Sequence, residues 1–312
     1  MAGETFSPIL SQVLVAEVQD GLMENMRNQL VYGNRAYAEM GRFTKGHDTI
    51  KFAAVPDMAT ATTPLTEGTA PTAVALSVET VTVDALQYGQ VVHISDLARL
   101  KSPFDLAATA RERLSRSAAE TTDELVRDEI VLGGTAFYSE SGATARTDLD
   151  TTDDKLSAAV LRKLAARMFY GNVKPFDGRN FLLIVSPGQE YDLKADTATG
   201  GFIATNQYSN PGPILNNEIG TIAGFRIIVA QNAPTFSSTT TVHAAIALGS
   251  LPGWGWGDMQ TLKAYHTPPG GQTDPLHQNE KLGWKMDFGV ASIDNARYFR
   301  MESTATDVTG QS

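Results

Sequence analysis

The stretch DTIKFAAV at residues 48–55 decides the fold, because it opens a long two-stranded arm. Ile50 and Phe52 alternate there with polar or small residues, which is typical of a half-buried β-strand. A polar tip rich in threonine and proline follows at 59–73, with the sequence ATATTPLTEGTAPTA. The pattern predicts an ascending strand and an exposed tip with little core of its own.

The chain returns from this tip through a second alternating run. Its apolar positions are Val74, Leu76 and Val78, followed by Val81 and Val83. The change from even to odd positions predicts a β-bulge in the descending strand. The run closes on YGQVVHIS at 88–95. Because an isolated hairpin is only marginally stable in water, we expect so long an arm, residues 48–95, to rest on a partner subunit.

Composition indicates a folded protein of ordinary hydrophobicity. The chain has 312 residues, of which 42% are hydrophobic and 19% charged, and this length favours about two domains. No cysteine is present, which excludes disulfides and thiolate metal sites. No apolar window reaches the roughly 18 residues of a membrane span. The N-terminus lacks the pattern of a secretory signal, so we expect synthesis in the cytoplasm.

The formal net charge of −10 bears on nucleic-acid binding. Phosphate binding depends on lysine and arginine displacing counterions, so an acidic chain resists nonspecific adhesion to DNA. Two interpretations fit this charge: an ordinary acidic protein, and a container whose wall does not stick to packed DNA.

Helical patterns flank the arm on both sides. Within residues 1–47, a loose apolar pattern at 9–26 fits either an N-terminal arm or the first helix of a globular domain. After the arm, Ser102 fits an N-cap, Pro103 the first helical position and Gly133 the helix end. Such a helix, of about 29 residues, would be roughly 44 Å long. Its alanine-rich apolar stripe predicts a spine packed along a sheet.

The second half of the chain predicts an α+β or α/β core, because helices and apolar strands alternate there. The predicted elements are a loop at 134–152, a helix capped by Asp153 or Asp154, a strand at 181–185, a helix opened by Ser186, strands at 224–230 and 244–248, a polar loop at 265–276, an alternating element at 283–301 and a loose tail at 303–312.

Five short motifs follow one another along the chain. They are Pro64-Leu65-Thr66-Glu67-Gly68, Tyr88-Gly89, Ile94-Ser95-Asp96, Asp274-Pro275-Leu276-His277-Gln278 and Gly283-Trp284-Lys285. Their order and spacing resemble the major capsid proteins of tailed bacteriophages with the Hong Kong 97-type fold. Within that family, the chain is most similar to the branch typified by the major coat protein of phage N-four.

The resemblance implies an α+β capsid fold made of named parts. These are an N-terminal arm at 1–47, an extended β-hairpin loop at 48–95, a peripheral domain with the spine helix at 96–150 plus returning strands near 240–293, an axial domain at 151–237 plus a strand near 294–302, and a C-terminal tail at 303–312. Chain order therefore differs from domain order.

The resemblance also implies a structural function without catalysis or cofactor. Many copies would assemble as pentamers and hexamers into an icosahedral virion shell enclosing double-stranded DNA, with no sequence-specific DNA binding and no membrane. Expected partners are further copies, a separate scaffold protein, a portal and decoration proteins, in a bacterial host. The alternative with the same fold is an encapsulin-like compartment enclosing a cargo enzyme. Two other classes are a hydrolase using His93 with Asp96, and a monomeric binding module.

The chain lacks the phosphate-loop, zinc-protease and esterase motifs. The candidates for intersubunit contact are Pro64, Leu65, Glu67, Gly68, Lys51, Trp254 and Trp256. Both tryptophans lie in GWGWG at 253–257, which is expected to be a turn that anchors a loop or fills an intersubunit pocket. We expect His93 to be a core residue. His266 and His277 flank Asp274 in a weaker metal-site pattern.

Overall fold

The computed structural model of the protein describes residues 30–43, 49–55, 58–65, 67–68, 70, 73–140, 142–150, 153–196, 218–269 and 276–307. The helical pattern expected at 9–26 lies outside these residues, and so does Asp274.

The described residues form strands and helices in mixed order, as the predicted α+β class requires. The strands are β1 Glu39–Arg42, β2 Thr49–Ala54, β3 Glu79–Asp84, β4 Leu86–Ser95, β5 Thr135–Tyr138, β6 Phe181–Val185, β7 Glu218–Ile222, β8 Phe225–Val229, β9 Thr235–Ser237, β10 Thr241–Leu248, β11 Trp254–Thr267, β12 Asn279–Ser292 and β13 Tyr298–Thr304. The α-helices are α1 Asp96–Lys101, α2 Leu106–Leu132, α3 Ala158–Tyr170 and α4 Pro187–Ala195.

A four-stranded sheet in the order β1-β11-β12-β4 packs against the spine helix α2. Its inner face carries Trp256, Trp284, Met286 and Phe288, which share one core with buried side chains of α2. Because side chains alternate across a strand, the residues between them point to the opposite face of the sheet, here called the outer face. The predicted spine packed on a sheet is therefore confirmed.

A seven-stranded sheet forms the second layer, in the order β5-β13-β10-β6-β8-β7 with β9 paired to β10. Helix α3 covers it through Leu161, Leu164 and Met168, which are fully buried. The predicted strands at 181–185, 224–230 and 244–248 are confirmed as β6, β8 and β10. Helix α4 opens as predicted, because Ser186 and Gln189 form a capping box.

Both long helices begin elsewhere than predicted. The spine helix starts at Leu106, because Asp105 is its N-cap and accepts hydrogen bonds from the N–H groups of Ala107 and Ala108. These two bonds hold the pKa of the Asp105 carboxyl below its ordinary value, with Ala108 contributing most. Helix α3 is capped by Ser157, and the predicted cap Asp154 is buried instead and accepts the N–H of Asp150 at 2.7 Å.

Several predicted loops are ordered strands. The expected turn at 253–257 is the start of β11, which also extends into the loop predicted at 265–276. The expected loop at 134–152 contains β5, which pairs in parallel with β13. The expected tail begins with the end of β13, and beyond it the N–H of Thr306 donates to Asp192 at 2.8 Å.

Sheet membership also differs from the expected grouping of segments. The element predicted at 283–301 is two strands, β12 and β13, which lie in different sheets. This division agrees with the separate axial strand expected near 294–302. Strand β10, grouped with the peripheral strands near 240–293, instead lies between β13 and β6. Strand β4, expected as part of the arm, pairs with β12 along all ten of its residues.

Candidate assembly interface

The base of the arm is a two-stranded stalk, formed by β2 and β3. The strands pair antiparallel in continuous register, from Thr49 opposite Asp84 to Ala54 opposite Glu79. The bulge predicted from the change of apolar positions is wrong, because β3 begins only at Glu79, after the even-numbered run has ended. Ile50 and Phe52 lie on one face of the stalk as predicted, and Phe52 is buried.

The stalk sits on the outer face of the four-stranded sheet. Phe52 and Val83 form a small cluster with Ile293 there. A Cβ atom at Gly255 would lie 2.6 Å from two atoms of the Phe52 ring, and one at Gly41 would lie 2.8 Å from it. Real Cβ atoms do not approach ring carbons this closely, so the ring lies directly on glycine backbone.

Gly257 and Gly289 extend this contact surface. The four glycines together, Gly41, Gly255, Gly257 and Gly289, are called the glycine seat. A Cβ atom at Gly257 would lie 2.5 Å from Ile50, and one at Gly289 would overlap the backbone of Asp84. Glycine in a strand interior often marks the close approach of another backbone or ring. The seat therefore fixes where the arm leaves the body of the subunit.

The GWGWG motif at 253–257 is explained by the alternation of side chains between the two faces of β11. Trp254 and Trp256 point to the inner face and are only 2% and 1% exposed. The Trp256 ring stacks on Phe288 with 4.9 Å between centroids, and its N–H donates to Asp258 at 2.7 Å. The prediction that these tryptophans contact a neighbouring subunit is wrong, because both rings are enclosed by the core of their own chain.

Beyond the stalk lies the distal arm, residues 55–78. Large apolar side chains are exposed along its described part: Val55, Met58, Leu65, Val74, Leu76 and Val78. Leu65 is 76% exposed, Pro64, Glu67 and Gly68 are also exposed, and Lys51 is exposed on the stalk. All five remaining contact candidates are therefore accessible, and their contact with a second copy stays a prediction. Contiguous apolar exposure of this kind marks an interaction surface.

Asp123 on the spine helix holds the segment that precedes β1. One of its carboxylate oxygens accepts the N–H groups of Val31 at 2.9 Å and Gly33 at 2.8 Å, and the other accepts Asn232 Nδ2 at 2.7 Å. Tyr32 between them is buried, and burial, assisted by the Asp123 charge, raises the pKa of its hydroxyl. No local sequence pattern distinguishes Asp123 from the exposed acidic residues of the same helix, so this clamp was missed.

Replacing Asp123 with alanine should lower the free energy of unfolding by about 2–4 kcal/mol, because two backbone N–H groups lose their acceptor in a buried setting. Chemical denaturation measures the change. The matched control is Glu124→Ala at the next position, whose exposed carboxylate pairs only with Arg127 among the described residues and should cost less than about 0.5 kcal/mol. Equal losses for both variants would contradict the clamp.

The histidines lie in other surroundings than the sequence patterns suggested. His93 is exposed rather than in the core, and its Nε2 lies 2.5 Å from Asn279 Oδ1. His266 contacts Glu280 at 2.9 Å, whereas His277 contacts the backbone oxygen of Pro269. Among the described residues, no three side chains of the metal-binding types are grouped together, and no helix is long and apolar enough to cross a membrane.

Comparison with known sequences identifies the family. The profile of phage capsid proteins matches residues 77–299, well over half of the chain. The chain belongs to the phage capsid protein family. A search of curated proteins finds no match.

Solved capsids share the fold of this capsid protein at low sequence identity. The capsid of Ralstonia phage GP4 is 16% identical, with a TM-score of 0.67 over 88% of this chain and 92% of that one. The capsid of cyanophage P-SCSP1u is 18% identical, with a TM-score of 0.63 over 86% of both chains. A virus-like particle from Pyrococcus furiosus is 9% identical, with a TM-score of 0.52 over 92% and 99%. The predicted capsid fold class is confirmed.

Proposed function

We propose that this chain is the major capsid protein of a tailed bacteriophage with the Hong Kong 97-type architecture, in the phage N-four-like branch. Copies assemble as pentamers and hexamers into an icosahedral shell that encloses double-stranded DNA without reading its sequence. The four-stranded sheet with its spine helix α2 serves as the peripheral domain, and the seven-stranded sheet serves as the axial domain. The observation that carries the proposal is the distal arm, which leaves the glycine seat with its apolar side chains exposed.

The exposed arm accounts for assembly through many modest contacts. Each arm crosses onto a neighbour and buries apolar surface that the isolated subunit leaves in water. A stable interface of this kind buries more than about 1,000 Å² in total. Because every subunit engages several neighbours, effective concentration strengthens contacts that are individually weak. Scaffold, portal and decoration proteins act around this shell, and synthesis takes place in the cytoplasm of the bacterial host.

Deleting residues 58–73 should leave a folded subunit that fails to form shells. The described residues of this segment are exposed and contribute no buried side chain, so the two sheets and the spine helix keep their cores. Circular dichroism and thermal unfolding should match the intact chain, whereas sedimentation and negative-stain microscopy should show subunits or small oligomers. If the chain that lacks residues 58–73 forms shells of normal size and yield, the distal arm is not required for assembly.

An encapsulin-like compartment with the same fold remains the alternative, and it is not favoured because the family profile that matches the chain is that of phage capsid proteins. The two candidates differ in content rather than in fold. Particles from the native source that contain double-stranded DNA support the capsid, and particles that contain one abundant enzyme instead support the compartment. Absorbance spectra and gel electrophoresis of purified particles distinguish these outcomes.

A further inference from the structure

Helix α3 of the seven-stranded layer presents a cationic stripe to solvent. Lys163, Arg167 and Tyr170 follow one another at spacings of four and three residues, which places them on one side of the helix. All three are exposed, and Tyr170 is 86% exposed. The opposite side of the helix is buried against the sheet. The stripe is therefore held on a rigid element over about 10 Å of helix length.

The turn after α3 adds two polar side chains at the end of the stripe. Asn172 has a positive φ of 55°, and the N–H of Val173 donates to the backbone oxygen of Met168 at 3.0 Å. Val173 is buried, whereas Asn172 and Lys174 are exposed. The backbone oxygen of Lys174 accepts the N–H of Ser250 at 2.8 Å, which fixes the chain there. The α3 face is defined as Lys163, Arg167, Tyr170, Asn172 and Lys174.

The charge of this region is opposite to that of the whole chain, whose formal net charge is −10. Between residues 155 and 176 every charged residue is basic: Lys155, Arg162, Lys163, Arg167 and Lys174. Within the described residues, Lys163, Arg167 and Lys174 form no ion pair. The helix dipole favours a cation in the last turn, such as Arg167. It does not account for Lys163 in the middle of the helix or for Lys174 beyond its end.

The α3 face and the arm lie on opposite sides of the subunit. The stalk sits on the outer face of the four-stranded sheet, and the spine helix α2 packs against the inner face. Leu182, Ile184 and Ile246 of the seven-stranded sheet share the core of α2, and helix α3 covers the other face of that sheet. In a shell whose copies are joined by their arms, the α3 face therefore belongs to the surface away from the arms.

We propose that the α3 face lies on the inside of the shell and contacts the phosphate backbone of the enclosed double-stranded DNA, an inference that rests on the proposed function. Lysine, arginine, asparagine and tyrosine side chains all donate hydrogen bonds to phosphate oxygens, and such contacts carry no sequence information. The side chains of the α3 face thus fit a partner that is enclosed without its sequence being read.

The contact of each copy is weak and depends on salt. Three cations that neutralise three phosphates of B-DNA give a slope of about −2.7 for the logarithm of the binding constant against the logarithm of salt concentration. The acidic remainder of the chain opposes wider adhesion. Because a shell repeats the α3 face in every copy, many weak contacts together hold the outermost layer of DNA against the wall.

The test measures binding of full-length subunits to a labelled DNA duplex by fluorescence anisotropy. The affinity should fall roughly 40-fold between about 50 and 200 mM salt. The triple variant Lys163→Gln, Arg167→Gln and Lys174→Gln should weaken binding at the lower salt at least about tenfold and nearly abolish the salt dependence. The control Lys101→Gln, Lys263→Gln and Lys281→Gln makes the same change in net charge at exposed positions outside α3 and should bind as the natural chain does.

Two further comparisons keep the test decisive if the triple variant does not fold. Lys163→Gln and Lys174→Gln, each alone, should reduce the salt slope by about one. Lys163→Arg with Lys174→Arg keeps both charges and should leave the affinity for the duplex unchanged. A purely structural role of these lysines would not change the salt slope by one unit for each charge removed.

The position of the face within the shell is tested on intact DNA-filled particles. Formaldehyde should join Lys163 or Lys174 to the DNA, and peptide mass spectrometry identifies the adducts. An amine reagent coupled to a polymer too large to cross the shell should leave both lysines unlabelled. If the reagent labels them in intact particles, the α3 face lies outside and the proposal is overturned.

Failure of the inference is distinct from failure of the proposed function. If unmodified subunits form no shells, the function itself is refuted. If they form DNA-filled shells but the α3 triple variant and its control bind the duplex equally well, the DNA contact is refuted. If the triple variant lowers shell yield and leaves duplex binding unchanged, the α3 face contacts an acidic protein surface and the proposal is overturned.

Discussion

A Gly255→Val subunit should fold but assemble poorly, with shell yield lowered at least about tenfold. The new Cβ atom would lie 2.6 Å from the Phe52 ring and 2.9 Å from Ile293, so the stalk must lift from the sheet. Overpacking of this kind costs about 1–3 kcal/mol. A tilt of a few degrees at the seat moves a tip that is up to about 45 Å away by several ångströms. Thermal unfolding and particle counting measure the two effects separately.

A double-mutant cycle tests whether Phe52 transmits this effect. Shrinking the ring in Phe52→Leu makes room for a Cβ atom, so Gly255→Ala should cost less in that background than in the natural chain. Gly171→Ala is the control, because its Cβ atom would meet only atoms at 3.5–3.8 Å, which is ordinary contact. If Gly255→Val subunits keep both their stability and their shell yield, the seat does not set the direction of the arm.

The sequence predicted those elements whose pattern is local. The alternation of Ile50 and Phe52 identified the stalk, and the apolar run at 181–185 identified the central strand β6. The capping box at Ser186 was readable because its two partners are three residues apart. In each case a single turn or strand contains all the information, so no knowledge of the tertiary structure is needed.

The GWGWG motif was misread because glycine usually indicates a turn. The alternation of tryptophan and glycine also has the period of a strand, and that signal was present in the sequence. What the sequence does not contain is the reason for the glycines, which is the Phe52 ring some 200 residues earlier in the chain. An alternation of large side chains with glycine would have predicted a strand whose glycine face is covered by another element.

Long-range partners were beyond sequence reasoning for the same physical reason. Asp123 has the spacing of an exposed helical residue, and its role depends on backbone N–H groups about 90 positions away. The place of β10 between β13 and β6 likewise depends on sheet order, which local alternation does not encode. The exposure of Leu65 and Glu67 was predicted correctly, because the side chains of a polar tip without a core of its own remain in solvent.

The second large effect is expected at Glu302, which joins the two layers of the subunit. Its fully buried carboxylate accepts two hydrogen bonds from Arg146, at 2.6 and 2.7 Å, and one from Arg300 at 2.7 Å. Arg300 also donates to the backbone oxygens of Val131 and Gly133, where the spine helix ends. A cation at this position is favourable for the helix dipole. The network thus ties β13 of the seven-stranded sheet to the spine of the other layer.

Arg146→Met should lower the free energy of unfolding by about 3 kcal/mol, because removing one partner leaves a buried carboxylate undercompensated. The Arg146 guanidinium also lies 3.6 Å from the centroid of the Phe236 ring, and methionine gives up this cation–π contact. Chemical denaturation of the isolated subunit measures the loss. Arg116→Met, which breaks the exposed pair with Glu120, is the control and should leave the free energy of unfolding unchanged within error.

The same substitution should affect particle shape, because a closed shell requires every subunit to present its arm and its two layers at nearly fixed angles. With Arg146 gone, Arg300 is the one partner of the Glu302 carboxylate left among the described residues, and the spine helix is less firmly tied to the seven-stranded sheet. We therefore expect Arg146→Met particles to be fewer and irregular in size by negative-stain microscopy, even at temperatures where the subunit remains folded. If the variant is destabilised by the expected amount but still forms uniform shells, the Glu302 network contributes stability alone and does not set the angle between the layers.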